Sequence, residues 1–213
     1  MKTIEFILPS EIERKSFEII ENELKERGIE IPLEQKPVTM RVIHTSADFE
    51  YAQTMRYSDN AIEIAKKLIL SGAHIVTDTN MAKAGINKKT LEKFGGEVHC
   101  FMADADVASE AKERKTTRAA VSMERACQLG KPVIYALGNA PTAMITLYEM
   151  MERKIYVPPF IIGVPVGFVN VVAAKELFLN STVPYIINKG RKGGSNIAAA
   201  ICNALLYELG GRT

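Results

Sequence analysis

Short apolar runs rich in β-branched residues recur along this chain, each followed by a stretch of helical period, and that alternation restricts the fold more than any other feature. HIVTDT (74–79) precedes short helical pieces reaching Phe94, GEVHCFM (96–102) precedes ADADVASEAKE, and KPVIYALG (131–138) precedes NAPTAMITLYEMMERK. FIIGVPVG (160–167) leads into VNVVAAKELFLN, and VPYIINKG (183–190) into GGSNIAAAICNALLYELGG. Upstream, Pro37 introduces VTMRVIH (38–44) as a further strand, and Tyr57-Ser58-Asp59 begins the amphipathic run NAIEIAKKLILSG. From Ser10, taken as an N-cap, Ile12, Phe17, Ile20 and Leu24 fall at helical spacing, and Gly28 closes that helix. Strands that are apolar throughout are buried on both faces. The pattern therefore predicts a doubly wound α/β fold, a mostly parallel sheet of about six strands with helices on both faces.

The 213 residues carry no linker, low-complexity tract or internal repeat, so a single domain over 1–213 is expected. Lys and Arg (27) nearly balance Asp and Glu (25), which gives no global field toward nucleic acid or an anionic membrane. Cys100, Cys127 and Cys202 are odd in number and lack CxxC spacing, so neither a disulfide framework nor a zinc site is indicated. The N-terminal MKTIEFILPSEIERKS is too acidic and too briefly apolar for a signal peptide, and no run approaches the roughly 20 apolar residues that span a bilayer. A cytoplasmic protein is expected.

In such a sheet, ligands bind beyond the carboxyl ends of the strands. His44 stands at the end of its predicted strand, whereas His74 opens a strand at the opposite edge and His99 lies inside one, facing a helix layer. KGRKGGSN (189–196) combines two glycines, a helix start and the cations Arg191 and Lys192, which suits an anion; a solvated turn is the alternative, and the spacing is neither GxxxxGK[ST] nor GxGxxG. In GNAPTA, Asn139 can cap the next helix with Pro141 in its first turn. GVPVG makes a tight bend that could lie against a flat ligand or simply connect two elements. Arg14, Lys15 and Ser16 read as a solvated helix face, and Arg118 as a surface ion pair. Asp78, Asp104 and Asp106 read as caps and solvated charges rather than magnesium ligands, so no metal is predicted. Met144, Met150 and Met151 read as core or a contact surface.

Several segments taken together resemble the precorrin-8X methylmutase family, with its cobalt-precorrin-8 counterpart, of corrin (vitamin B12) biosynthesis: SFEII, RVIHTSADFEY, TDTNMAKAGI, TTRAAV, GNAPTAMITLYEM, IIGVPVGFVNVVAAKELF and KGRKGGSNIAAAICNAL. They span nearly the whole chain in order. The resemblance implies a flavodoxin-like fold, a homodimer with its site near the subunit interface, no cofactor, and migration of a methyl group from C11 to C12 of the tetrapyrrole. It makes His44 the catalytic acid/base and Ser16 and Arg41 substrate contacts. Thr45, Arg118, Asn139, Thr142, Gly167, Arg191, Gly193, Gly194 and Ser195 become candidate site lining. Lys15 replaces an arginine of the family pattern, which places any bidentate contact there in question.

A methyl shift needs electron density withdrawn from the receiving carbon, which protonation by His44 would supply in a 1,5-sigmatropic step. The product keeps most of the substrate's shape and charge, so tight retention and transfer to the next enzyme are expected. The alternative is a non-catalytic flavodoxin-like module holding a tetrapyrrole, flavin or nucleotide; it would need only the GRKGGS loop. The residues leave cobalt-containing and metal-free substrates open, with the cobalt form favoured.

Overall fold

A computed structural model describes Phe6 and residues 8–210. In chain order the elements are α1 (Pro9–Glu26), α2 (Lys36–Ser46), α3 (Tyr51–Thr54), β1 (Met55–Tyr57), α4 (Ala61–Leu70), β2 (His74–Thr77), α5 (Asn80–Gly85), α6 (Lys88–Glu92) and β3 (Val98–His99). There follow α7 (Ala105–Glu113), α8 (Arg118–Ala126), β4 (Val133–Leu137), α9 (Pro141–Glu152), β5 (Phe160–Gly163), α10 (Val171–Leu179), β6 (Tyr185–Asn188) and α11 (Ser195–Gly210).

The strands form one mixed sheet in the order β1-β6-β5-β4-β2-β3, parallel except for β1, which runs antiparallel to β6. The alternation of strand side chains divides the core in two. Ile75, Ile134, Ile162 and Ile186 point into one layer with α1, α2, α4 and α11, while Val76, Tyr135, Ile161 and Ile187 point into the other with α8, α9 and α10. The expected α/β architecture, a mostly parallel sheet covered on both faces, is therefore present.

Two elements depart from expectation. Residues 38–44 are not a strand but the body of α2. Val38, Thr39, Val42 and Ile43 are buried, a spacing that follows the helical period, and the Thr45 and Ser46 hydroxyls donate to the carbonyls of Arg41 (2.9 Å) and Val42 (2.8 Å), one turn back. β-Branched content suggested a strand; burial of a helical stripe against α11 overrides it. The sixth strand is instead β1, an edge strand of three residues, too short to show a period of its own. Tyr57, expected to begin a helical run, pairs with Ile186 there.

Helix ends also differ locally. Ser10 lies inside α1, and Leu8 occupies the N-cap position. Gly28 adopts φ +65° just past α1, as a closing glycine should. Met144 is fully buried against β5. Among the described residues no helix is long and apolar enough to cross a membrane.

Candidate functional site

Because β2, β4, β5 and β6 are parallel, the loops that leave them emerge at one edge and interlock. Val164 N–H donates to Leu137 O (2.8 Å), Gly194 N–H to Val164 O (2.9 Å) and Gly167 N–H to Arg191 O (3.1 Å). The contact is too close for side chains. A Cβ on Gly193 would lie 2.0 Å from Val164 O, and one on Gly138 would lie 2.6 Å from Gly194 O. These glycines let three backbones meet, and Gly194 beside Gly193 supplies the φ of +140° that the turn into α11 requires.

Two buried charged groups hold this edge. Lys175, only 1% exposed, projects from α10 and donates to Gly190 O (2.7 Å) and Lys192 O (2.9 Å), gripping the β6–α11 loop at two carbonyls. Burial pushes its ammonium down to about 8. Asp78, at the end of β2, accepts from the backbone N–H groups of Gly138 (2.9 Å), Asn139 (2.7 Å) and Ala140 (2.5 Å). It thereby performs the capping expected of Asn139, whose side chain makes no cap bond; Ala140 is the N-cap of α9. Burial raises the Asp78 carboxyl above its usual range, against the three N–H donors, which favour the carboxylate.

The C-terminal end of α2 reaches the same edge. Lys192 bridges to Asp48 (2.6 Å) and Glu50 (2.7 Å), which draws its own pKa up and that of Asp48 down. Between these elements lies a cleft of about 400 Å³, lined among others by Thr45, Tyr51, Val166, Lys192, Gly193 and Asn196. His44, one residue from its lip, is exposed on one side and stacks its ring on Phe17 at 5.2 Å and 25°. Partial burial, and then the nearby charge of Arg41, hold its pKa below the ordinary imidazole value. Arg41, one turn earlier on α2, sits 4.8 Å over the Phe17 ring and 5.3 Å from that of Tyr207, and is ion-paired with Glu13 of α1.

The expected site residues thus do not all converge on one place. Thr45 and Gly193 line the cleft. His44 and Arg41 pack on Phe17 beside it, whereas Ser16, the residue before Phe17 on α1, is exposed and its hydroxyl donates to Ile12 O (2.8 Å). Arg191, exposed, lies 5.4 Å over the Phe168 ring on the β5–α10 loop, where Gly167 has φ +147°. Ser195 turns inward to share a hydrogen bond with Thr79 (2.7 Å), so its hydroxyl already has a partner, and Gly194 (φ +140°) makes the turn before it. Asn139 and Thr142 stay with the start of α9. Arg118 begins α8 in the opposite layer, exposed and without an ion pair to another described residue, so neither the surface pairing nor convergence on the cleft is observed.

Asp104 and Asp106 pair with Arg125 at 3.3 and 2.5 Å, consistent with solvated charges. Sequence reasoning missed Lys175, Asp48 and Glu13. A lone lysine within VVAAKELFL was the available signal for the first.

The family model for precorrin-8X methylmutase matches residues 11–208 of this chain. The chain belongs to that family. A cobalt-precorrin-8 methylmutase of Priestia megaterium is 43% identical over 199 residues, covering 93% of this chain and 88% of the relative. A cobalt-precorrin-8 methylmutase of Salmonella typhimurium is 39% identical, covering 94% and 96%. The crystal structure of a precorrin-8X methylmutase from Thermus thermophilus superposes with a TM-score of 0.85 at 38% identity, covering 95% of this chain and 98% of that one. Within the precorrin-8X methylmutase family, then, the loops that meet in this cleft are the ones whose sequences carried the resemblance.

Proposed function

We propose that this chain is a methylmutase of cobalamin biosynthesis that converts cobalt-precorrin-8 by moving a methyl group from C11 to C12, with His44 as the proton donor. The observation that carries the reading is family membership over nearly the whole chain, with an accessible imidazole beside the cleft. The cobalt form is favoured because the relatives at 43% and 39% identity bear that name, while a Pseudomonas aeruginosa relative at 36% is a precorrin-8X methylmutase.

The reaction is an isomerisation. The bond from the methyl carbon to C11 breaks as that to C12 forms, with no change of mass or redox state. His44, whose lowered pKa keeps the free imidazole largely neutral near pH 7, takes up a proton when the carboxylates of the docked macrocycle offset the Arg41 charge. It then protonates the conjugated ring, lowers the barrier to the shift, and recovers the proton as conjugation settles.

Arg41, Arg191 and the backbone N–H groups of Gly193 and Ser195 hold the acidic side chains of the substrate, with Gly194 making the turn between them and Ser16, Thr45 and Gly167 at its edges; Arg118, Asn139 and Thr142 are peripheral. A cleft of about 400 Å³ lies at the low end of ligand pockets and cannot enclose a tetrapyrrole. The macrocycle therefore rests across the edge, and a second copy of this chain covers it. Phe168 (81% exposed) and Val169 (77%) give both an apolar surface to meet.

Product of the same shape is retained and handed to the next enzyme. The chain is one domain. Its five parallel strands, numbered among themselves, lie in the order 2-1-3-4-5, which supports the flavodoxin-like description.

Single-turnover absorbance with the cobalt and metal-free substrates tests the reading. Wild type should convert substrate to a product of unchanged mass, and His44→Ala should bind it yet convert it about a hundred- to ten-thousandfold more slowly. Binding without turnover of either substrate would refute the enzyme reading, and wild-type turnover by His44→Ala would remove that imidazole from the chemistry.

A further inference from the structure

Away from the cleft, two histidines and a carboxylate converge on the opposite core layer. β2 and β3 are parallel with Ile75 beside Val98 and Val76 beside His99, so alternation projects His74, Glu97 and His99 from one face of the sheet. His74 Nδ1 and His99 Nε2 are 2.6 Å apart, the rings stack at 4.9 Å, and His99 Nε2 lies 3.8 Å from a Glu97 carboxylate oxygen. One atom from each of the three residues falls within 4.8 Å of the other two. Phe101 stacks on the outer face of His99 at 5.8 Å and fixes that ring's plane.

We propose that His74, Glu97 and His99 form a site for a divalent transition-metal cation of the zinc class, which ties the edge strand β3 to β2. The donor chemistry selects the cation: two imidazoles and one carboxylate suit zinc and its neighbours, whereas magnesium and calcium require oxygen ligands.

Geometry allows it with a small adjustment. Tetrahedral bonds of about 2.0–2.1 Å to nitrogen place two ligand atoms about 3.3 Å apart, so the nitrogens must separate by roughly 0.7 Å. Glu97, with a side chain 68% exposed, is free to close its part of the triangle. β3 contains only two residues and forms the sheet edge, so it can yield by that amount. Three protein ligands leave the fourth position to water.

Without a cation, the two nitrogens can share a single proton, and protonating both rings would set two like charges together. His74 and Glu97 stand at the amino-terminal end of their strands, remote from the loops that carry the proposed chemistry.

The test uses full-length protein stripped with a chelator and titrated with Zn(II) by calorimetry, and with Co(II) by visible absorbance. The expected result is one equivalent bound, tetrahedral Co(II) bands, a rise in Tm, and at least tenfold weaker binding by His74→Gln, His99→Gln or Glu97→Gln. Affinity should fall as pH drops through the imidazole range, while corrinoid turnover by the variants should match wild type. Zn(II) binding no tighter in wild type than in the His74→Gln/His99→Gln double variant would overturn the site. So would Co(II)-loaded wild type in which the ring resonances of His74 and His99 escape paramagnetic broadening, a measurement independent of how any variant folds.

Discussion

Replacing Lys175 by methionine separates the cost of burying a charge from the benefit of the bonds it makes. Burial moves the ammonium from 10.5 to about 8. At about 1.4 kcal/mol per unit, this is about 3 kcal/mol held against the folded state while the group is charged. The sign follows from proton counts. Between about pH 8 and 10.5 the native lysine is neutral while the unfolded one is still protonated, so wild-type stability rises with pH through that window.

Methionine removes the titration and leaves the Gly190 and Lys192 carbonyls without their donor, a loss of about 1.5–3 kcal/mol each. At neutral pH this loss is largely offset by the relief of charge burial, and the variant folds. Urea unfolding of both proteins from about pH 7 to about pH 10.5 should show wild type gaining about 3 kcal/mol on Lys175→Met across the window, because the other lysines and tyrosines cancel in the difference. A stability gap that stays constant with pH would refute the reasoning and mean that the two carbonyls already compensate the charge. In parallel, the loosened β6–α11 loop should bind substrate more weakly.

Four further outcomes are expected. In the free protein His44 should titrate below 6.5 by NMR, and Arg41→Gln should move it upward but not past that value, since burial is the larger cause; an unmoved titration would deny the coupling. As the proton donor, His44 should make kcat/KM fall as pH rises through its lowered pKa, and Arg41→Gln should displace that fall to higher pH. Gly193→Ala drives a Cβ to 2.0 Å from Val164 O, so about 1–3 kcal/mol of stability should be lost in urea, with weaker substrate binding; wild-type stability would show that the loops are not in fact interlocked. Arg191→Glu should weaken corrinoid binding more at low salt than at high, and a dissociation constant insensitive to the change would exclude this side chain from anion recognition.

The parallel strands were legible because HIVT, VIYAL, FIIG and YIIN are buried on both faces and so appear as unbroken apolar runs. α2 was not, because Val38, Thr39, Val42 and Ile43 fit a β-branched strand in composition and a helical stripe in spacing, and only packing on α11 decides between them. The consequence reaches the site: on a helix Arg41 and His44 are three residues apart and share a face, whereas on a strand they would point to opposite sides.

The loops after the strands drew notice because their glycines and cations are local signals. What holds them was invisible, because Asp78 caps a helix 60 residues away. Long-range partners leave no spacing to read. Helix N-terminal donors need an acceptor, but nothing local requires it to come from the adjacent residue.

The ion pairs around the cleft have a bearing on selectivity. Arg41 is already engaged by Glu13, and Lys192 by Asp48 and Glu50, so an incoming acid meets cations whose charge is answered from within the chain. In the docking proposed above, resident acids are exchanged for those of the guest. A small monoanion gains little by such an exchange, whereas a rigid ring presenting several carboxylates at fixed spacing can displace Glu13 from Arg41 and Asp48 and Glu50 from Lys192 together and recover the loss at both cations. At Arg41 and Lys192 the free protein is thereby guarded against the phosphates and simple organic acids that crowd around it, while the exposed Arg191, with no resident acid among the described residues, stays open to the first carboxylate of a guest.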